Sequence, residues 1–328
     1  MKKTLLLFMF LICMLLRAEE TAEGARYGLL LWYTAVVPAL FPFMVLSALL
    51  VAGNGLSVLM VPFHLLLHPL LGLSPEGCYV FLSGLVCGYP MGAKTCADFL
   101  TEGRITAKEA RLLMVISNHP SPMFLLGYVY PFFKDQLPLP VLLSSVYSPV
   151  LILGAAARLG GGAWQKNRDG EDEQRNVMRN RKTVHRKETQ ELQPAPISLD
   201  EAILSAAELL CKIGGYLILF SILIVLLRRA AFLPVLPRLL LILSMEMTTG
   251  IREAAATLPF PYSAMAACGA LAFGGFSGLF QTRAVIGHAK KAGLSIRPYF
   301  FWKLLHSVLS MGLCLGLFLL FLRNHSGG

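Results

Sequence analysis

The stretch Gly84-Leu-Val-Cys-Gly-Tyr-Pro-Met-Gly-Ala-Lys-Thr-Cys-Ala-Asp98, GLVCGYPMGAKTCAD, lies in one of the most apolar parts of a 328-residue chain. It sets three glycines, a proline, a lysine and an aspartate where a membrane helix would use leucine. The rest of the sequence decides what solvent this segment meets. Hydrophobic residues make up 55% of the chain and charged residues 15%, with a mean hydropathy of +0.63. That is too apolar for an ordinary soluble domain. Apolar stretches recur at 4–16, 27–51, 112–133, 137–157, 202–227, 233–245, 264–286 and 299–322. Most approach or exceed the roughly 20 residues that cross a hydrocarbon core about 30 Å thick. The expected fold is an all-α polytopic membrane protein.

Polar punctuation divides the chain into four parts. Residues 1–24 begin Lys2-Lys3, run through apolar residues 4–16 and reach Arg17-Ala-Glu-Glu. This is the layout of a signal-peptide n- and h-region, but Cys13 stands in no convincing cleavage context, so an uncleaved first helix is expected. Residues 160–200 are the only long polar stretch, and their sub-run 175–187 holds six Lys or Arg and no acid. It reads as a charged, flexible linker on the cytoplasmic side, with binding of acidic lipid headgroups as the sharper alternative. The net charge of +10 then reports membrane topology, since no aromatic-interleaved basic face suggests nucleic acid. The seven cysteines are scattered and form no CxxC, so neither a zinc site nor a disulfide framework is indicated.

The remaining parts, 25–159 and 201–328, read as two homologous halves. Sliding the chain so that Gly84 meets Gly274 also sets Gly88 on Gly278 and Gly103 on Gly293. Each copy then shows a Gly-rich broken apolar segment, a polar tail, a Gly turn and a long apolar helix. Such interrupted segments at matching positions point to a secondary-transporter site. An unpaired backbone amide is costly in hydrocarbon, so a broken helix survives only when it is buried in protein or lines a watery cavity. Its free N–H groups favour anions. The bland alternative is close helix packing at Gly84, Gly88 and Gly92, which leaves Pro90 and Lys94 unexplained.

These considerations select the candidate solute-binding residues. In the first break they are Ser83, Gly84, Gly88, Tyr89, Pro90, Gly92, Lys94 and Thr95. A lysine near a bilayer centre costs about 2.5–3.5 kcal/mol and faces a cavity or a partner. Lys94 facing solute would suit a carboxylate; pairing with Asp98 one turn on, or snorkelling to an interface, are its other fates. In SNHPSP, residues 117–122, two prolines remove backbone donors and offer Ser117, Asn118 and Ser121. In MEMTTG, residues 245–250, Glu246 stands beside Thr249 and Gly250 and is a candidate for coupling a proton or sodium, or a partner for Lys94. In GGFSGLFQT, residues 274–282, Gly274, Gly275 and Gly278 accompany Ser277, Gln281 and Thr282, whose spacing shares one helical face.

GYPMGAK at 88–94, EGRIT at 102–106, SNHPSPMF at 117–124, Glu246-x-x-x-Gly250 and GGFSG at 274–278 together resemble the sporulation integral membrane proteins of the YlbJ type (stage V sporulation protein V). These are placed in the nucleoside-recognition, or Gate-domain, superfamily related to concentrative nucleoside transporters. The resemblance covers most of the chain outside the linker and first helix. It implies an endospore-forming bacterium and transport of dipicolinate across the mother-cell-derived membrane around the forespore. Asn118-His119 stands where the wider family suggests two asparagines, so His119 is a departure.

Other classes carry less. GFSG at 275–278 matches the GxSG of intramembrane serine proteases, which would need His288 or His306 within reach of Ser277. Duplication already explains those glycines, so no enzyme activity is expected. His64 and His68 lack the glutamate of a zinc-protease motif, so no metal or cofactor is expected beyond a coupling proton or Na+. A non-transporting scaffold for spore assembly is the alternative function. The expected partners are a small anionic substrate and the lipid bilayer, with no nucleic acid. Basic residues after both Gly turns favour parallel repeats, whereas kinship with nucleoside transporters favours inverted ones.

Overall fold

The computed structural model describes residues 2–52, 56–159, 197–229 and 233–325, so the basic run at 175–187 lies outside the described residues. Among the described residues every regular element is helical, with no strand. Helix α1 (Lys2–Leu16) is followed by α2 (Ala18–Leu31), which passes through a π-helical stretch, Trp32–Val36, into α3 (Val37–Ala52). The boundary expected at residue 24 therefore falls inside a helix. Gly24 and Gly28 do not break α2; they let its backbone approach that of Ile222 and Ile218, where a Cβ would stand 2.6 and 2.7 Å from the nearest atom. Trp32 locks the same contact by donating from Nε1 to the Leu210 carbonyl at 2.8 Å.

The path continues through α4 (Leu56–Leu71), α5 (Pro75–Cys87) and α6 (Met91–Thr101). Next come α7 (Ala107–Ile116), the one-turn α8 (Pro122–Phe124) and α9 (Leu139–Leu159). Beyond the linker lie α10 (Leu199–Arg228), α11 (Val235–Met245) and α12 (Met247–Thr257). The last three are α13 (Tyr262–Phe273), α14 (Gly275–Val285) and α15 (Ile296–His325). By length and composition, Leu139–Leu159, Leu199–Arg228, Tyr262–Val285 and Ile296–Asn324 can cross a membrane, and two bent pairs raise the number of candidates from four to six. Large apolar side chains face outward along them, Leu204, Phe301 and Val308 among them, as expected where lipid replaces water as the surrounding medium.

Caps set where the short helices begin. Ser74 accepts from Gly77 N ahead of Pro75, and Thr106 accepts from Glu109 N. Ser198 and Glu201 form a reciprocal capping box at the start of α10. Each cap satisfies a backbone donor that the helix itself leaves open.

Two of the broken pairs fold back on themselves. Helix α6 returns along α5, so that Ser83 Oγ lies 3.2 Å from Thr95 Oγ1. Helix α12 returns along α11, and a Cβ on Gly250 would lie 2.6 Å from Leu243 Cα. The other two, α7–α8 and α13–α14, are interrupted by 117–121 and by Gly274. Each half thus contains one re-entrant hairpin, then one interrupted helix, then one long helix (α9 or α15). This element order sets the two halves in a different correspondence from the glycine-keyed one. It matches the Gly88–Pro90 tip with the Glu246 tip, and 117–121 with Gly274. The glycine-keyed alignment instead set the first hairpin on the second interrupted helix, because the second hairpin's tip carries Glu246 and no glycine run.

Candidate solute site

The four breaks meet at one place. Gly88, with φ at +77°, brings the first hairpin tip against 117–121, where a Cβ would stand 2.8 Å from Ser121 N. Tyr89 crosses to the other half and donates from its hydroxyl to the carbonyls of Ala272 and Leu271, at 3.1 and 3.3 Å. Its ring lies on Gly274, where a Cβ would be 2.9 Å from Tyr89 Cζ. Gly275 sits as closely on the second hairpin tip, 3.0 Å from the Met245 carbonyl oxygen by the same measure. Tyr128, just beyond α8, closes the circuit by donating to the Thr248 carbonyl at 2.9 Å.

A cavity of about 80 Å³ lies among these contacts, and every break contributes to its wall. Gly88 and Tyr89 come from the first, Ser121 from the second, Glu246 from the third, and Gly274, Ser277, Gly278 and Gln281 from the fourth. Leu31, Ala35, Val36 and Leu40 close it on the side of α2 and α3. These expected residues, drawn from both halves, converge on one space.

Helix starts also point here. Glu246 caps α12, accepting from Thr248 N at 2.9 Å, Thr249 N at 2.8 Å and the Thr248 hydroxyl. Its negative charge is thus held at a helix N-terminus, where the peptide dipoles favour it. Ser121 caps α8 through Phe124 N. No side chain caps α14, which begins at Gly275. Ser277 Oγ accepts from Gln281 Nε2 at 3.1 Å, so these two share a face, whereas Thr282 turns to Asn118. The glycines divide by role. A Cβ on Gly84 or Gly92 would stand 1.8 or 1.9 Å from the Ser117 carbonyl oxygen, so those two exist for packing. A Cβ on Gly278 would meet nothing within 4 Å.

Lys94 is not among the residues lining the cavity. Its Nζ lies 2.7 Å from Asp98 Oδ2, both side chains are about one-third exposed, and His288 Nε2 reaches the other oxygen of Asp98 at 3.1 Å. Ser83 and Thr95 bond to each other between the hairpin arms. Pro90 N-caps α6, Thr249 gives its amide to Glu246 and Gly250 packs on Leu243. The two histidines that a hydrolase would need are engaged elsewhere, His288 with Asp98 and His306 with Lys303.

The chain is similar to the "Sporulation integral membrane protein YlbJ" of Bacillus subtilis (strain 168), with 30% identity over 232 residues. The likeness supports the YlbJ-type family. It covers 66% of this chain and 54% of that protein, so the chain spans about half the length of the relative it matches. No family model matches the chain. No solved structure matches it either.

One functional candidate escaped the sequence reading. Lys303, on α15, is fully buried and donates to the Asn118 carbonyl at 3.0 Å. Asn118 Nδ2 in turn bonds Thr282 Oγ1 at 2.9 Å and Tyr299 Oη at 2.6 Å. A polar layer of Asn118, Thr282, Tyr299 and Lys303 therefore backs the cavity behind Tyr89. The signal was present in the sequence: Tyr299, Lys303, His306 and Ser310 recur at helical spacing in an otherwise apolar run and form one buried stripe.

Proposed function

We propose that this protein is a membrane transporter of a small anionic solute, with dipicolinate in spore formation as the expected solute. The observation that carries the reading is the convergence of all four helix breaks on one cavity, with the uncapped start of α14 in its wall. Unpaired N–H groups at a helix start favour an anion. Broken backbone at membrane depth needs a reason, and solute binding supplies one. The similarity to a sporulation membrane protein supports the biological setting, and we take the mother-cell-derived outer forespore membrane as the site of action.

At about 80 Å³ the cavity is smaller than the roughly 150 Å³ cavity known to hold a benzene ring. Loading such a solute therefore requires the space to widen, by movement of the Leu31–Leu40 wall. The bend between Ala18–Val36 and Leu40–Leu50, 50°, lies in that wall. Glu246 is the group placed to couple a proton or Na+ to the solute. Uptake of labelled dipicolinate by vesicles carrying the purified protein tests the reading, with nucleosides as competitors. Saturable uptake that nucleosides do not inhibit is expected. Uptake no faster than in protein-free vesicles would refute it.

A further inference from the structure

Lys303 has neighbours that suit an ammonium and none that neutralises one. His306 Nε2 lies 3.0 Å from the Val146 carbonyl, which can only accept, so that nitrogen carries the proton and Nδ1 keeps its lone pair. Lys303 Nζ therefore donates to His306 Nδ1, at 3.1 Å, and to the Asn118 carbonyl. It also lies 4.9 Å from the centroid of the Tyr89 ring, within the range in which an aromatic face attracts a cation. A carbonyl, an imidazole lone pair and a ring face thus surround the ammonium.

The surrounding elements supply no carboxylate. His306 and Tyr299 come from its own helix, Tyr89 from the hairpin tip, Asn118 and His119 from 117–121, and Tyr147 from α9, stacked edge-on against His119. No Asp or Glu among the described residues pairs with Lys303. Glu246, the acid in the cavity wall, is already satisfied by the start of α12. Beside the lysine, two buried polar atoms have no partner, Asn118 Oδ1 and His119 Nε2. A buried cation without a counter-charge is costly inside a membrane. Among the described residues nothing supplies the opposite charge, and a bound anion would.

We propose that Lys303 is the cation met by a carboxylate of the solute, with Tyr89 as the partition between it and the cavity. This deepens the transporter reading and rests on it. Tyr89 lines the cavity and also covers the ammonium, and its hydroxyl is held by Leu271 and Ala272. Release of that hydroxyl lets the ring swing aside and a carboxylate take its place on Nζ. The Tyr299 hydroxyl, which accepts from Asn118 Nδ2, keeps its own proton to donate to a remaining oxygen. Selectivity for anions then comes from a charge that Tyr89 screens from the cavity.

The test is equilibrium binding to the purified full chain, with dipicolinate and its uncharged diamide, pyridine-2,6-dicarboxamide, as probes. Lys303→Met should lower the preference for the dicarboxylate over the diamide by about 10- to 150-fold, the value of one charge-assisted hydrogen bond. Asn118→Asp puts a carboxylate, in the same volume, on the residue whose main-chain carbonyl Lys303 bonds, and should lower the preference similarly. A parental preference in Lys303→Met overturns the proposal. Should that variant fail to accumulate, a parental preference in Asn118→Asp overturns it. Loss of the preference with Lys94→Met alone would overturn it as well, as would a parent protein that does not bind the dicarboxylate. Binding by the parent without vesicle uptake would leave this inference standing and remove the transporter reading.

Discussion

The carbonyl oxygen of Ser117 occupies the space that a side chain at Gly84 would need, 1.8 Å from the ideal Cβ position. Gly92 faces the same oxygen from the other arm of the hairpin. The first interrupted helix is therefore gripped between the two arms of the first hairpin, backbone against backbone.

Gly84→Ala should be poorly tolerated. Overpacking typically costs about 1–3 kcal/mol, and here the obstacle is backbone, which cannot rotate away. The expected result is a lower Tm and less protein in the membrane, whatever the solute. A Tm equal to that of the parent would show that the hairpin does not grip Ser117.

Tyr89→Phe removes the hydroxyl that bridges the halves and keeps the ring. With about 0.5–1.5 kcal/mol lost for the one hydroxyl proton shared between the two carbonyls, opening should become roughly 2- to 13-fold more frequent. Cys87 reports on this, because it lines the cavity and is buried. In a background with the exposed Cys13 and Cys211 changed to serine, labelling by a water-soluble thiol reagent should speed up accordingly. An unchanged rate would mean that Tyr89 does not hold the halves closed.

Composition made the membrane fold legible, because hydropathy sums over residues and needs no knowledge of packing. Glycine and proline marked the breaks at Gly88–Pro90, 117–121 and Gly274, since few other residues tolerate such backbone. What the sequence hid was tertiary. Tyr89 finds its acceptors at Leu271 and Ala272, across the whole linker, and no local pattern announces such a contact. Lys94 drew attention because it follows a break, yet Asp98 one turn on already meets its charge. Lys303 was passed over because it sits in an unbroken apolar run, although its polar stripe was visible. Element order pairs the two hairpins where the glycines do not, because the second hairpin turns at Glu246 without a glycine run.

Glu246→Gln keeps an oxygen to accept from Thr248 N or Thr249 N but removes the charge at the helix start. About 1 kcal/mol of helix stabilisation should be lost, seen as a small drop in Tm. If Glu246 couples an ion, uptake by this variant should no longer respond to an imposed proton or sodium gradient, while exchange across the membrane continues. A parental gradient response would leave Glu246 with the capping role alone.

The central claim is that solute occupies the space where the four breaks meet, and Gly278 tests it most directly. It lines the cavity, and a Cβ there meets nothing within 4 Å beyond its own stretch of helix, so Gly278→Val fills the site without pressing a Cβ on another element. Gly312 provides the control, since it also has open space around a Cβ but lies on α15 away from the cavity wall. Dipicolinate uptake, normalised to protein in the vesicles, should fall at least tenfold for Gly278→Val and stay at the parental rate for Gly312→Val, with Tm unchanged in both. Parental uptake by Gly278→Val would contradict the account and move the solute path elsewhere in the molecule.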